Sequence, residues 1–252
     1  MKIFASYNIK GGVGKTSTAV NLAYLAAGDG YRVLLWDLDP QAAASFLFRI
    51  RPRVKGGGRA LLEGTRSIEG AVKGTDFDNL DLLPADFTYR NLDLMLDSAK
   101  KPTRKLGRLL TPLRADYDVI FLDCPPSISL LSESVLHAAD MLLVPMIPTT
   151  LSVRTLDQLT EFIAGFDGHQ PGVLAFFSMI DGRKRLHREI SEQLPAERPE
   201  FAATTIPALS IVERMSVERA PVAAFAPRSI AARRYAALWA EAKGRSKLPP
   251  PG

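Results

Sequence analysis

The sequence predicts a single α/β domain: a mostly parallel, twisted sheet with helices on both faces. Short apolar runs rich in β-branched residues alternate with longer stretches of helical period, the signature of βαβ units. A length of 252 residues with 46% apolar content suits one sizeable core, and no internal stretch has the composition of a linker. The predicted strands are 3–8, 33–36, 80–84, 119–123, 141–145, 173–179 and 204–206. The predicted helices are 16–27, 89–99, 106–113, 129–138, 152–166 and 185–193, with a last helix over about 229–243. Residues 1–246 are therefore read as one domain.

Two segments fall outside this alternation. Residues 49–58 hold four basic residues, one proline and three consecutive glycines, and read as a mobile loop. Residues 247–252, Lys-Leu-Pro-Pro-Pro-Gly, cannot form helix and read as a frayed tail. The longest apolar runs, 141–147 and 173–180, fall well short of the ~20 residues that span a bilayer. The first residues carry glycines and lysines where a secretory leader needs an apolar core, so a cytoplasmic location is expected.

Composition narrows the chemistry. The single cysteine, Cys124, excludes an internal disulfide, and His137, His169 and His187 lack the spacing of a zinc site. The formal charge of +5 is unevenly spread, with clusters at Arg49-Arg51-Arg53-Lys55, Arg183-Lys184-Arg185 and Arg228-Arg233-Arg234. Such clusters suit an anionic partner, although basic runs are also common on solvated faces.

The most specific signal is Ile9-Lys10-Gly11-Gly12-Val13-Gly14-Lys15-Thr16-Ser17, between the first strand and the first helix. Its glycines let successive backbone N–H groups turn toward one anion, and the helix N-terminus adds partial positive charge. Lys15 can reach β and γ phosphates, and Thr16 can ligate Mg²⁺. The fold is thus read as a P-loop NTPase that binds a nucleoside triphosphate with Mg²⁺. Ile9 stands where the strict phosphate-loop pattern has its first glycine. The variant from Lys10 to Thr16 resembles the deviant Walker A signature of the ParA/MinD family. The resemblance implies that Lys10 crosses a dimer interface to touch the partner's ATP, and that the dimer forms only with triphosphate.

Two acidic strand ends extend the resemblance. Val33-Leu34-Leu35-Trp36-Asp37-Leu38-Asp39-Pro40-Gln41 is similar to the family's switch element, which implies that Asp39 positions the attacking water while Asp37 supports the Mg²⁺ shell. Read from the residues alone, both acids could instead cap the turn at the strand end. Tyr117 to Ser127, with Asp118, Asp123 and Pro125-Pro126, resembles the family's Walker B segment, placing Asp123 beside Mg²⁺ at the carboxyl end of a strand. Weaker matches, Met179-x-Asp181-x-Arg183 and Ile206-Pro207, place Met179 and Pro207 at the adenine.

The resemblance covers residues 1 to about 234 and lies nearest the short ParA-type partition and positioning ATPases. It implies an ATP-dependent homodimer, nucleoid association through non-specific DNA, and a small activating partner, ParB-like or a cargo adaptor. Arg228 matches a DNA-contacting arginine of the family, with Arg233, Arg234, Arg214 and Arg219 as further candidates. Ala208 occupies a position where short DNA-partitioning members carry arginine. The apolar stripe Ile230, Ala231, Tyr235, Leu238, Trp239 and Ala242 could serve a MinD-like membrane helix but is expected to pack on the sheet, so membrane binding is not expected. A small-molecule ligase or metal-insertion ATPase on the same fold is the other alternative.

Overall fold

The computed structural model describes every residue except Ala99. Eight strands, β1 Lys2–Ser6, β2 Val33–Asp37, β3 Lys73–Gly74, β4 Leu80–Leu83, β5 Val119–Asp123, β6 Met141–Met146, β7 Gly172–Ile180 and β8 Ile206–Pro207, form one sheet. Its order is β3-β4-β2-β5-β1-β6-β7-β8, and every pairing is parallel except that of the edge strand β3 with β4. Twelve α-helices accompany it among the described residues. These are α1 Lys15–Gly28, α2 Ala43–Leu47, α3 Gly57–Glu63, α4 Leu92–Asp97, α5 Lys105–Leu110, α6 Leu130–Ala138, α7 Thr150–Ala164, α8 Arg185–Glu197, α9 Ser210–Glu213, α10 Met215–Glu218, α11 Val222–Phe225 and α12 Ile230–Ser246.

Alternation along the strands divides the core into two layers, because successive side chains point to opposite faces. Ile3, Ala5, Leu34, Trp36, Ile120 and Leu122 pack under α3 to α7. Phe4, Val33, Leu35, Val119 and Phe121 pack under α1, α2 and α12. The strands are buried on both faces and so read as continuous apolar runs. Helix α12 buries Ala231, Tyr235, Leu238, Trp239 and Ala242 on that second layer, so the stripe is core; only Ile230, at its first turn, is exposed. None of the described helices is long and apolar enough to cross a membrane.

Several expectations need correction. The predicted helix 89–99, whose last residue lies outside the described ones, begins instead as a 3-10 turn, Phe87–Asn91, and continues as α4. Asp86 sets that start by accepting from the Thr88 N–H at 2.9 Å. The segment 49–58 is anchored rather than loose. Val54 is buried with its N–H donating to Asp86 at 2.8 Å, and Gly57 and Gly58 open α3. Added Cβ atoms there would lie 2.6 Å from the Thr88 hydroxyl and 2.8 Å from Leu92, so these glycines permit close packing. The tail is also tied down, since the Tyr31 hydroxyl donates to the Pro249 carbonyl at 2.8 Å. The last strand begins at Ile206, not at 204.

Candidate active site

The strand register brings the sequence-predicted residues together. Ser6 at the end of β1 and Asp37 at the end of β2 are both register partners of Asp123 at the end of β5. Three neighbouring carboxyl ends therefore open on one crevice, where open parallel sheets place ligands. Gly12 and Gly14 in the loop above them have φ of +69° and +96°, left-handed values that a side chain adopts only with strain. Gly14 precedes α1 with no side-chain cap, so no neighbouring side chain claims the helix's first N–H groups.

Buried polar side chains clamp this loop from below. The Ser178 hydroxyl donates to the Val13 carbonyl at 2.6 Å, and the Ser6 hydroxyl to the Lys15 carbonyl at 2.8 Å. Asn8 accepts from the Lys10 N–H at 2.9 Å and donates to the Pro145 carbonyl at 2.8 Å. The Lys15 ammonium donates to the Lys10 carbonyl at 2.8 Å, closing the loop on itself. Burial depresses the Lys15 pKa, opposed by the charge of Asp123. An anion in the loop would lower the cost of keeping that ammonium charged.

The three acids sit in different surroundings. Both Asp123 oxygens are buried without a hydrogen-bond partner, and burial, reinforced by the Asp37 charge, holds its pKa well above the usual carboxylate range. An unpartnered buried carboxylate is costly unless a cation or donor joins it. With Thr16 close by on the loop, the donor set fits Mg²⁺, which favours hard oxygen ligands and keeps much of its water. Asp37 is fully buried, but one of its oxygens accepts from both the N–H and the hydroxyl of Ser45 at 2.7 Å. The other accepts from the Asp39 N–H at 3.3 Å. Both Asp37 oxygens are thus engaged by the segment that follows β2. Burial still pushes its pKa up to about 6. Asp39 is half-buried and lines the crevice, with one oxygen accepting from the Gln41 N–H at 2.9 Å. Cys124 is buried, and burial pushes its thiol pKa up, in keeping with an inert neighbour.

The crevice has a volume of about 360 Å³, and its lining includes Gly12, Lys15, Thr16, Asp39, Met179 and Pro207. Gly11, Gly14 and Ser17 line it as well, whereas Val13 is buried beneath the loop. Met179 has φ of +53° at a register shift between β7 and β8. That shift turns Ser178 toward the loop and leaves Met179 exposed over the cavity. Lys10 is not among the lining residues; its ammonium donates to the Ser152 hydroxyl at 3.3 Å, at the start of α7.

The arginine candidates divide into two sets. Arg214 pairs with Glu218 at 2.5 Å, and Arg219 donates to the Phe46 carbonyl at 3.0 Å with its guanidinium 4.6 Å from that ring's centroid. Arg228, Arg233 and Arg234 are exposed around the N-terminus of α12 and have no acidic partner among the described residues. Arg233 donates to the Arg228 carbonyl at 2.6 Å. Ala208 donates its N–H to the Ile180 carbonyl and brings no charge to this region. Sequence reasoning missed Ser6, Asn8, Ser45, Ser152 and Ser178. The one available signal was a polar residue interrupting an apolar strand, as in Phe176-Phe177-Ser178.

A family model described as an AAA domain matches residues 1–172. The chain is 32% identical over 248 residues to the sporulation initiation inhibitor protein Soj of Bacillus subtilis, covering 95% of this chain and 97% of that protein. A Borrelia burgdorferi structure assigned as a plasmid partition protein, bound to AMPPNP, matches with a TM-score of 0.85 and 25% identity over 97% of this chain and 99% of that one. Cobyrinic acid a,c-diamide synthase of Mycobacterium smegmatis, with bound ADP and magnesium, matches with a TM-score of 0.76 and 27% identity over 100% and 98%.

Proposed function

The chain belongs to the ParA/MinD family of P-loop ATPases, and on that footing we propose that it is an ATP-switched dimer that holds non-specific DNA and positions a cargo. The observation that carries this reading is the division of labour between two lysines of one loop: Lys15 is buried and lines its own crevice, whereas Lys10 lies outside it. A lysine placed there can serve a neighbouring subunit's phosphates without leaving its own loop uncompensated. ATP and Mg²⁺ would occupy the crevice, where Lys15, Thr16, Ser17 and the glycine N–H groups would hold the phosphates and Met179 and Pro207 the base. Thr16 and Asp123 would hold Mg²⁺, directly or through water, and when bound it would supply charge neutralisation for the phosphates. Asp39 orients the water for attack. Asp37, fixed by Ser45, holds the Asp39 backbone in place.

Closure on ATP doubles the basic surface. Arg228, Arg233 and Arg234 are the main DNA contacts, with Arg214 and Arg219, engaged with Glu218 and Phe46, as further contributors. A monomer making about three phosphate contacts has a log–log salt slope near −2.7 and loses about 40-fold in affinity between 50 and 200 mM salt; a dimer making about six loses on the order of 10³. A small partner, ParB-like or a cargo adaptor, stimulates hydrolysis and returns the protein to its free state. The test is a filter-binding titration of an Arg228→Ala, Arg233→Ala, Arg234→Ala variant on unrelated duplexes, with ATP-dependent dimerisation checked in parallel. The variant should still dimerise but lose affinity and flatten the salt slope; unchanged affinity and slope would overturn the DNA assignment. Likeness to the M. smegmatis synthase supports a second reading, a small-molecule enzyme on this fold. ATP turnover driven by a small substrate and indifferent to DNA would favour it.

A further inference from the structure

A second basic cavity lies at the opposite end of the sheet from β8. It has a volume of about 410 Å³ and is lined by Arg53, Lys55, Arg66 and Lys73, with Val54, Ser67, Gly70 and Ala71 completing the wall. Among the described residues no carboxylate lines it; Glu69, in the intervening turn, is exposed and is not one of the lining residues. Among the described residues none of these four cations forms an ion pair, whereas the neighbouring Arg49 and Arg59 pair with Asp76 and Glu63. Four like charges gathered around one cavity repel each other, and an anion at the centre removes that repulsion.

The cations stand on fixed backbone. Arg53 and Lys55 flank Val54, whose side chain is buried and whose N–H is held by Asp86. The turn closes with the Gly57 N–H donating to the Val54 carbonyl at 2.9 Å and the Gly58 N–H to the Thr88 hydroxyl at 2.9 Å. The Arg66 N–H is fixed on the Ala60 carbonyl, and Lys73 is in strand β3. Holding the backbone in place reduces the ordering cost of binding.

We propose that this cavity is a second anion site, distinct from the phosphate loop, for a compact polyphosphate-bearing small molecule. Concavity favours that class over duplex DNA: an open depression of this volume accommodates a nucleotide-sized ligand, whereas a duplex is met by cations spread along a surface. The exposed arginines supply forked donors to phosphate oxygens, and the lysines supply point charges.

The experiment uses the full chain with its phosphate loop loaded with ADP and Mg²⁺ and excess nucleotide removed by desalting, titrated by calorimetry with inorganic tripolyphosphate at 50 mM salt. The native chain should bind one tripolyphosphate. An Arg53→Ala, Arg66→Ala variant should bind it at least tenfold more weakly. A charge-matched Arg185→Ala, Arg188→Ala variant, changed on the exposed face of α8, should bind as the native chain does. No binding by the ADP-loaded native chain, or equal loss in both variants, would overturn the site. If the Arg53→Ala, Arg66→Ala change weakened binding of a short DNA duplex but not of tripolyphosphate, the cavity would be part of a nucleic-acid surface and the compact-ligand assignment would be wrong.

Discussion

Replacing Ser45 by alanine tests the buried polar link behind the switch element. The Ser45 hydroxyl donates to Asp37 at 2.7 Å and accepts from the Ala85 N–H at 2.9 Å, in a position with no solvent exposure. Deletion removes a hydrogen bond to a charged group, about 1.5–3 kcal/mol, and leaves a buried N–H without a partner, about 1–3 kcal/mol. The sum, discounted because Asp37 keeps the Ser45 and Asp39 N–H groups, is about 3–4 kcal/mol of folding stability. Urea denaturation at pH 7.5 should show a midpoint shift of that size with an unchanged slope. At pH 5, below the value of about 6 to which burial pushes Asp37, the acceptor is mostly neutral and the loss should shrink by about 1 kcal/mol. A loss under about 1 kcal/mol at pH 7.5 would refute the reasoning, because the hydroxyl would then not be holding both groups.

The raised Asp37 pKa also predicts a pH dependence. The folded state favours the protonated acid, so the stabilising effect is full below the ordinary value of 3.8, falls as pH rises from there to about 6, and is then gone. The difference of about two pKa units corresponds to roughly 3 kcal/mol. Asp37→Asn should remove that fall from the native stability profile between pH 4 and 7, measured by denaturation at each pH; a profile parallel to the native one would count against it. Asp39→Ala should retain ATP and Mg²⁺ but turn over about 10²-fold more slowly, accumulating the ATP-bound dimer, because losing a water-positioning carboxylate affects the barrier more than binding. Native turnover in that variant, with the stimulating partner present, would show that another group orients the water.

The parts of this structure that were legible in sequence are those written in local pattern. Strands such as 33–36 and 119–123 read as continuous apolar runs because they are buried on both faces; the helical spacing of the α12 stripe showed an apolar helix face, and the family resemblance, not the spacing, chose the sheet over a membrane as what it packs on. The phosphate loop was legible because its glycines, lysine and hydroxyl lie within seven residues. Helices α2, α9, α10 and α11 have at most five residues, too few to show a period, and tertiary contacts hold them. The anchoring of 49–58 was illegible for another reason: Val54 is held by Asp86, and Gly58 by Thr88, each about thirty residues away. The loop clamps have the same character, with Ser178 reaching back 165 residues to Val13 and Asn8 forward 137 to Pro145. The different surroundings of Asp37 and Asp39 also needed the structure: both accept backbone N–H groups of the turn, but Asp37 is buried against Ser45 while Asp39 lines the crevice.

The central claim is that Lys10 makes the dimer conditional on triphosphate, and sedimentation velocity with and without ATP·Mg²⁺ tests it most directly. The native chain should be monomeric with ADP and dimeric with ATP. Lys15→Ala should fail to dimerise because it no longer binds nucleotide, whereas Lys10→Ala should bind ATP within about threefold of the native affinity and remain monomeric, since its ammonium contacts Ser152 rather than its own crevice. A Lys10→Ala chain that dimerises with ATP as the native chain does would contradict the account.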